Sequence, residues 1–98
     1  MIRRDGERMV VSGAVTLANV KGVLEDGYAQ IRDGVGAVDL GEVTELDSSL
    51  LAMLLAWLRE ARRLGRGLDF VNLPEGLATM ARLYGVVEFL PSAQSRPA

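Results

Sequence analysis

The sequence predicts a single α/β domain: a small sheet whose later strands run parallel, covered by helices. Two observations carry this. Short β-rich runs alternate with longer stretches in which apolar residues recur every three or four positions, giving the order β(β)αβαβα. The chain has 98 residues and is 49% hydrophobic, which suffices for one core with little stability to spare and is too apolar for disorder. The domain is expected over residues 1–91, with the polar run SAQSRPA at 92–98 as a flexible tail.

In chain order, residues 9–11 form a short β-rich run, and Gly13 reads as a turn into a second short strand. Leu17, Val20, Leu24, Tyr28 and Ile31 then fall on one helical face, with Thr16 or Asn19 as candidate cap and Gly34 as candidate terminator. A strand centred on residues 37–40 follows, with a turn at Gly41. The strongest helix begins after Asp47 and ends near Leu64, where Gly65 can adopt the left-handed conformation and Arg62 and Arg63 suit the last turn. Residues 68–72 read as a strand. Pro74 opens a helix that places Leu77, Met80, Ala81 and Tyr84 on one side, and VVEFLP closes the fold.

The segment ELDSSLLAMLLAWLREARRLG, from Glu45 to Gly65, is the most informative. Asp47 or Ser48 at the N-cap can accept a hydrogen bond from a free backbone N–H. One cap does not account for three adjacent polar residues. Wound at 100° per residue, the helix has an apolar arc of roughly 200°, where a helix lying on a sheet needs about 100° or somewhat more. Leu50, Leu54, Leu58 and Ala61 form its centre; Leu51, Leu55, Met53, Trp57 and Leu64 widen it; Ala52 and Ala56 lie beyond, small and uncharged. So much apolar surface on one helix of a small domain points to a partner protein. The expected contact comprises Asp47, Ser48, Ser49, Leu50, Met53 and Trp57. For Trp57, packing beneath a neighbouring helix of the same chain is an equal alternative.

Composition narrows the chemistry. The chain contains no cysteine and no histidine, which rules out disulfides, Ser–His–Asp triads and Cys–His nucleophile pairs and removes the usual zinc ligands. The acids Asp39, Glu45 and Asp47 cluster without a base, a metal set or a Gly-rich phosphate loop, so no enzyme and no cofactor is expected. A net charge of −2 gives no field for nucleic acid or a membrane surface. The arginines at positions 59, 62, 63 and 66 suit a solvated helix end or a docking edge for an acidic surface. MIRRDGERMVV has no apolar core of a signal peptide, and the apolar run 50–58 falls far short of the ~20 residues that span a bilayer. A soluble, cytoplasmic domain is expected.

VDLGEVTELDSSLLAMLLAWL resembles the signature of the STAS domain family: a strand ending in Asp-Leu, a short loop, an Asp followed by hydroxyls, then an amphipathic helix. The likeness continues to Pro91, where LATMARLYGVVEFLP is similar to the small cytoplasmic STAS subunit of the Mla-type phospholipid ABC transporter. The resemblance implies a small mixed sheet of about four strands flanked by three to four helices, with no active site. It implies a partner, the transporter's ATPase subunit, with Ser48 at the contact, and membrane association only through the transporter, at the inner face of the inner membrane. It also offers an alternative: in anti-sigma-factor antagonists of this family the second hydroxyl, here Ser49, is phosphorylated by a partner kinase. Leu50 stands where those antagonists usually have glycine, and where many Mla-type members do too. The apolar helix also allows a homodimer of the isolated chain.

Overall fold

The computed structural model describes residues 1–86. Its elements are β1 (Ile2–Asp5), β2 (Arg8–Val15), α1 (Val20–Arg32), β3 (Ala37–Leu46), α2 (Ser48–Arg63), β4 (Asp69–Val71) and α3 (Glu75–Leu83). The sheet is mixed and four-stranded in the order β1-β2-β3-β4. β1 pairs antiparallel with β2, and β2–β3 and β3–β4 are parallel. The α/β alternation and the mixed sheet agree with the sequence. The closing segment from Val87 to Pro91 and the tail at 92–98 lie outside the described residues.

Strand parity sorts the two faces of the sheet. Met9, Val11, Val38, Leu40 and Phe70 turn towards the helices and join one buried cluster with Val23 and Ile31 of α1, most of α2, and Leu77 and Ala81 of α3. On the other side, Arg3 pairs with Glu42 at 3.0 Å and Arg8 with Asp39 at 3.6 Å. A one-residue slip in register would exchange these two sets, so burial fixes the pairing.

Several boundaries differ from the sequence reading. The extra strand precedes residues 9–11 rather than following them: Gly6 and Glu7 make a tight two-residue hairpin between the paired Asp5 and Arg8, with Gly6 at φ 65° supplying the positive dihedral. Gly13, at φ 84°, is not a turn but lies at an irregularity within β2, where the register with β3 shifts. Gly41 does not end β3: it lies in a register shift with β2, and pairing resumes beyond it with Ser12 opposite Glu42. α1 starts at Val20 and leaves Leu17 in the preceding loop. The end of α2 agrees: Leu64 caps it and Gly65 follows at φ 74°.

The wide apolar arc of α2 is covered by its own chain. α2 lies on the sheet with α1 on one side and α3 on the other, so it is enclosed along three directions rather than one. Leu50, Met53 and Trp57 are all buried, Trp57 fully (0% exposed). The indole of Trp57 rests against Gly27 of α1, filling the space a Cβ there would take. This corrects the expectation that Leu50 and Met53 face a partner, which treated the helix as covered only from below; for Trp57 it is the alternative, packing beneath a neighbouring helix of the same chain, that is observed.

Candidate functional site: the outward stripe of the second helix

The start of α2 is built around one carboxylate. Asp47 takes the N-cap position in extended conformation, and its Oδ1 accepts from the backbone N–H of Ser49 at 2.8 Å. Its Oδ2 accepts from the backbone N–H of Leu17 at 3.0 Å. These bonds, from Leu17 first and Ser49 second, hold the Asp47 carboxyl below its ordinary pKa. One side chain therefore caps α2 and ties down the β2–α1 loop.

That loop is also closed from within. Asn19 Oδ1 accepts from the backbone N–H of Thr16 at 2.9 Å, and Asn19 Nδ2 donates to the carbonyl of Ala14 at 2.8 Å. Asn19 thus occupies the cap position of α1 without a side-chain cap bond to the helix. With its ends fastened, the loop projects Leu17 outward, 79% exposed.

The solvent side of α2 carries Ser48, Ala52, Leu55, Arg59 and Arg62, spaced as one helical stripe. Ser48 and Ala52 are exposed and Leu55 is half-buried. A groove of about 390 Å³ flanks the stripe on the α1 side, lined by Leu17, Val20, Leu24, Ser49, Ala52, Met53 and Ala56. Another of about 370 Å³ flanks it on the α3 side, lined by Ser48, Leu55, Tyr84 and Val86. Tyr84, which caps α3, is 61% exposed. Ala52 lines both grooves and forms the crest between them.

Of the residues the sequence singled out, the structure brings Asp47, Ser48 and Ser49 together at this corner and turns Leu50, Met53 and Trp57 into the core. It adds Leu17, Ala52, Leu55 and Tyr84. Periodicity had assigned Leu17 and Tyr84 to buried helix faces, but both fall just outside their helices. The uncharged alanines at 52 and 56 were the visible sign of the outward surface.

Further along, α2 is clamped to α1. Glu60, 10% exposed, accepts from Arg63 at 2.8 Å and from Arg32 at 3.0 Å. Arg63, then Arg32, draw its pKa down from 4.5 to about 2. No helix among the described residues is long and apolar enough to cross a membrane.

A family model described as Mlab, STAS domain, matches residues 1–91. The chain belongs to this STAS family. Solved STAS structures share its fold. A chain of the Acinetobacter MlaFEDB complex in an ATP-bound conformation is 26% identical, covering 86% of this chain and 90% of that one, with a TM-score of 0.74. The anti-sigma factor antagonist SpoIIAA in its unphosphorylated form is 12% identical, covering 92% of this chain and 84% of that one, with a TM-score of 0.69; at that identity the likeness is one of fold. None of the curated proteins compared matches the chain. As a member of this family, the chain presents a corner made of a capped helix start, an exposed loop leucine and an exposed tyrosine.

Proposed function

We propose that this STAS domain is a non-catalytic subunit of an Mla-type phospholipid ABC transporter, acting in the cytoplasm at the inner face of the inner membrane. It binds and supports the transporter's ATPase subunit through the outward stripe of α2. The observation that carries this reading is the exposed, uncharged first half of that stripe, Ser48 and Ala52, flanked by the exposed apolar residues Leu17 and Tyr84. Small residues on the crest let a partner backbone approach closely, and the apolar flanks offer contact area at the edges of the patch. The family match and the likeness to a chain of an MlaFEDB complex support the choice of partner.

The site weighs against the phosphorylation reading. Ser49 is half-buried, and its backbone N–H donates to Asp47 Oδ1.

Co-expression with the ATPase subunit, followed by pull-down, tests the proposal. Ser48→Arg with Ala52→Glu is expected to abolish the complex while the variant stays folded by circular dichroism. An intact complex with this double variant would exclude the stripe as the contact.

A further inference from the structure

Beyond Leu55 the stripe runs into a third groove, of about 310 Å³, formed by Leu55, Leu58 and Val86 with Arg59 and Arg62 at its rim. Both arginines are exposed. Every other arginine among the described residues has a partner. Arg3, Arg4 and Arg8 pair with acids, Arg32 and Arg63 share Glu60, and Arg66 and Arg82 donate to the Ile31 carbonyl and the Thr79 hydroxyl. Among the described residues, Arg59 and Arg62 have none. Glu60 stands between them in sequence, but successive helical residues point about 100° apart, and its carboxylate is already held by Arg32 and Arg63.

Two guanidinium groups three residues apart on a helix lie side by side. Here they border an apolar groove, and no acid of the described chain neutralises them. A guanidinium fork matches a carboxylate, and the groove takes an apolar side chain. We propose that the Leu55–Leu58–Val86 groove takes an acidic segment of the ATPase subunit, in which an apolar anchor is flanked by carboxylates that engage Arg59 and Arg62. This rests on the ATPase subunit being the partner, and it names the chemistry of the segment that binds.

The test is the affinity of the purified chain for the ATPase subunit at low and high sodium chloride, about 50 and 500 mM, which spans strong and weak screening of exposed charges. Wild type is expected to bind more weakly in high salt. Arg59→Gln with Arg62→Gln is expected to bind about three- to tenfold more weakly at low salt and to lose most of the salt dependence. Arg59→Lys with Arg62→Lys is expected to keep that dependence. Since both side chains are exposed, unfolding midpoints should match wild type. If the glutamine variant keeps wild-type salt dependence, whether or not its affinity falls, the groove assignment is overturned; should Ser48→Arg still abolish binding, the ATPase reading stands without it. If wild type binds no ATPase subunit at either salt, both readings fall.

Discussion

The indole nitrogen of Trp57 donates a hydrogen bond to the carbonyl oxygen of Leu24 across the α1–α2 interface, at 3.0 Å. The same ring lies against the bare backbone of Gly27, one turn further along α1. The crossing of the two helices is therefore set by one large side chain meeting one absent side chain. Gly27→Ala should lower stability by about 1–3 kcal/mol through overpacking, an effect reduced by up to about 1 kcal/mol because alanine favours helix. Urea unfolding measures the net change, and an unchanged or raised midpoint would contradict the close approach. Combined with Trp57→Phe, the two effects should not add, since the smaller ring leaves room for the methyl.

Core and surface of α2 should separate cleanly in a mutational series. Leu50→Ala and Met53→Ala are each expected to cost about 2–5 kcal/mol of stability, because both side chains are buried. Ala52→Glu should change stability by no more than about 0.5 kcal/mol yet weaken ATPase binding. A Met53→Ala chain as stable as wild type would place that residue outside the core.

Asp47 should be felt at a distance in sequence. Asp47→Ala removes the acceptor for the amides of both Leu17 and Ser49. Amide hydrogen exchange at these two positions should accelerate together, while amides in β2 and β3 keep their protection. Acceleration at Ser49 alone would mean that the loop is held by Asn19 without help from Asp47.

Glu60 predicts a pH dependence. Its pKa falls from 4.5 in the ordinary carboxylate to about 2 in the folded chain, so the unfolded chain binds the proton more tightly. The stabilisation is complete above about pH 4.5 and is lost as pH falls towards 2. The difference in urea midpoint between wild type and Glu60→Gln should therefore be constant near neutrality and shrink across that acidic window. A difference that stays constant down to pH 2 would show that Arg32 and Arg63 do not perturb the carboxyl.

Leu17→Asp should reduce ATPase binding without changing the unfolding midpoint, because the side chain is exposed and its backbone N–H still reaches Asp47. Wild-type binding by this variant would remove the β2–α1 loop from the contact.

The alternation of strands and helices was legible because the buried residues obey simple periods: Met9 and Val11 at two, Leu50, Leu54, Leu58 and Ala61 at three to four. Glycines misled where pairing overrode them. Gly13 and Gly41 lie within strands because β2 and β3 resume their pairing beyond the register shift at each, which no local pattern records. The Gly6-Glu7 turn was a weak hairpin signal, obscured by the charged residues of β1. At the site, a cap at Asp47 or Ser48 followed from residue type, and the structure selects Asp47. Its second bond, to Leu17, could not, since it joins residues thirty apart in sequence. The breadth of the apolar arc was visible; which parts of it neighbouring helices cover depends on tertiary packing.

The outward stripe and the core draw on different residues of one helix. Leu50, Leu54, Trp57 and Leu58 hold the domain together, whereas Ser48, Ala52, Arg59 and Arg62 contribute little to its interior. The proposed recognition surface can therefore be rewritten one position at a time while the scaffold stays fixed. A family built this way can readdress the same small domain to a new partner by point substitution, without first evolving a new fold.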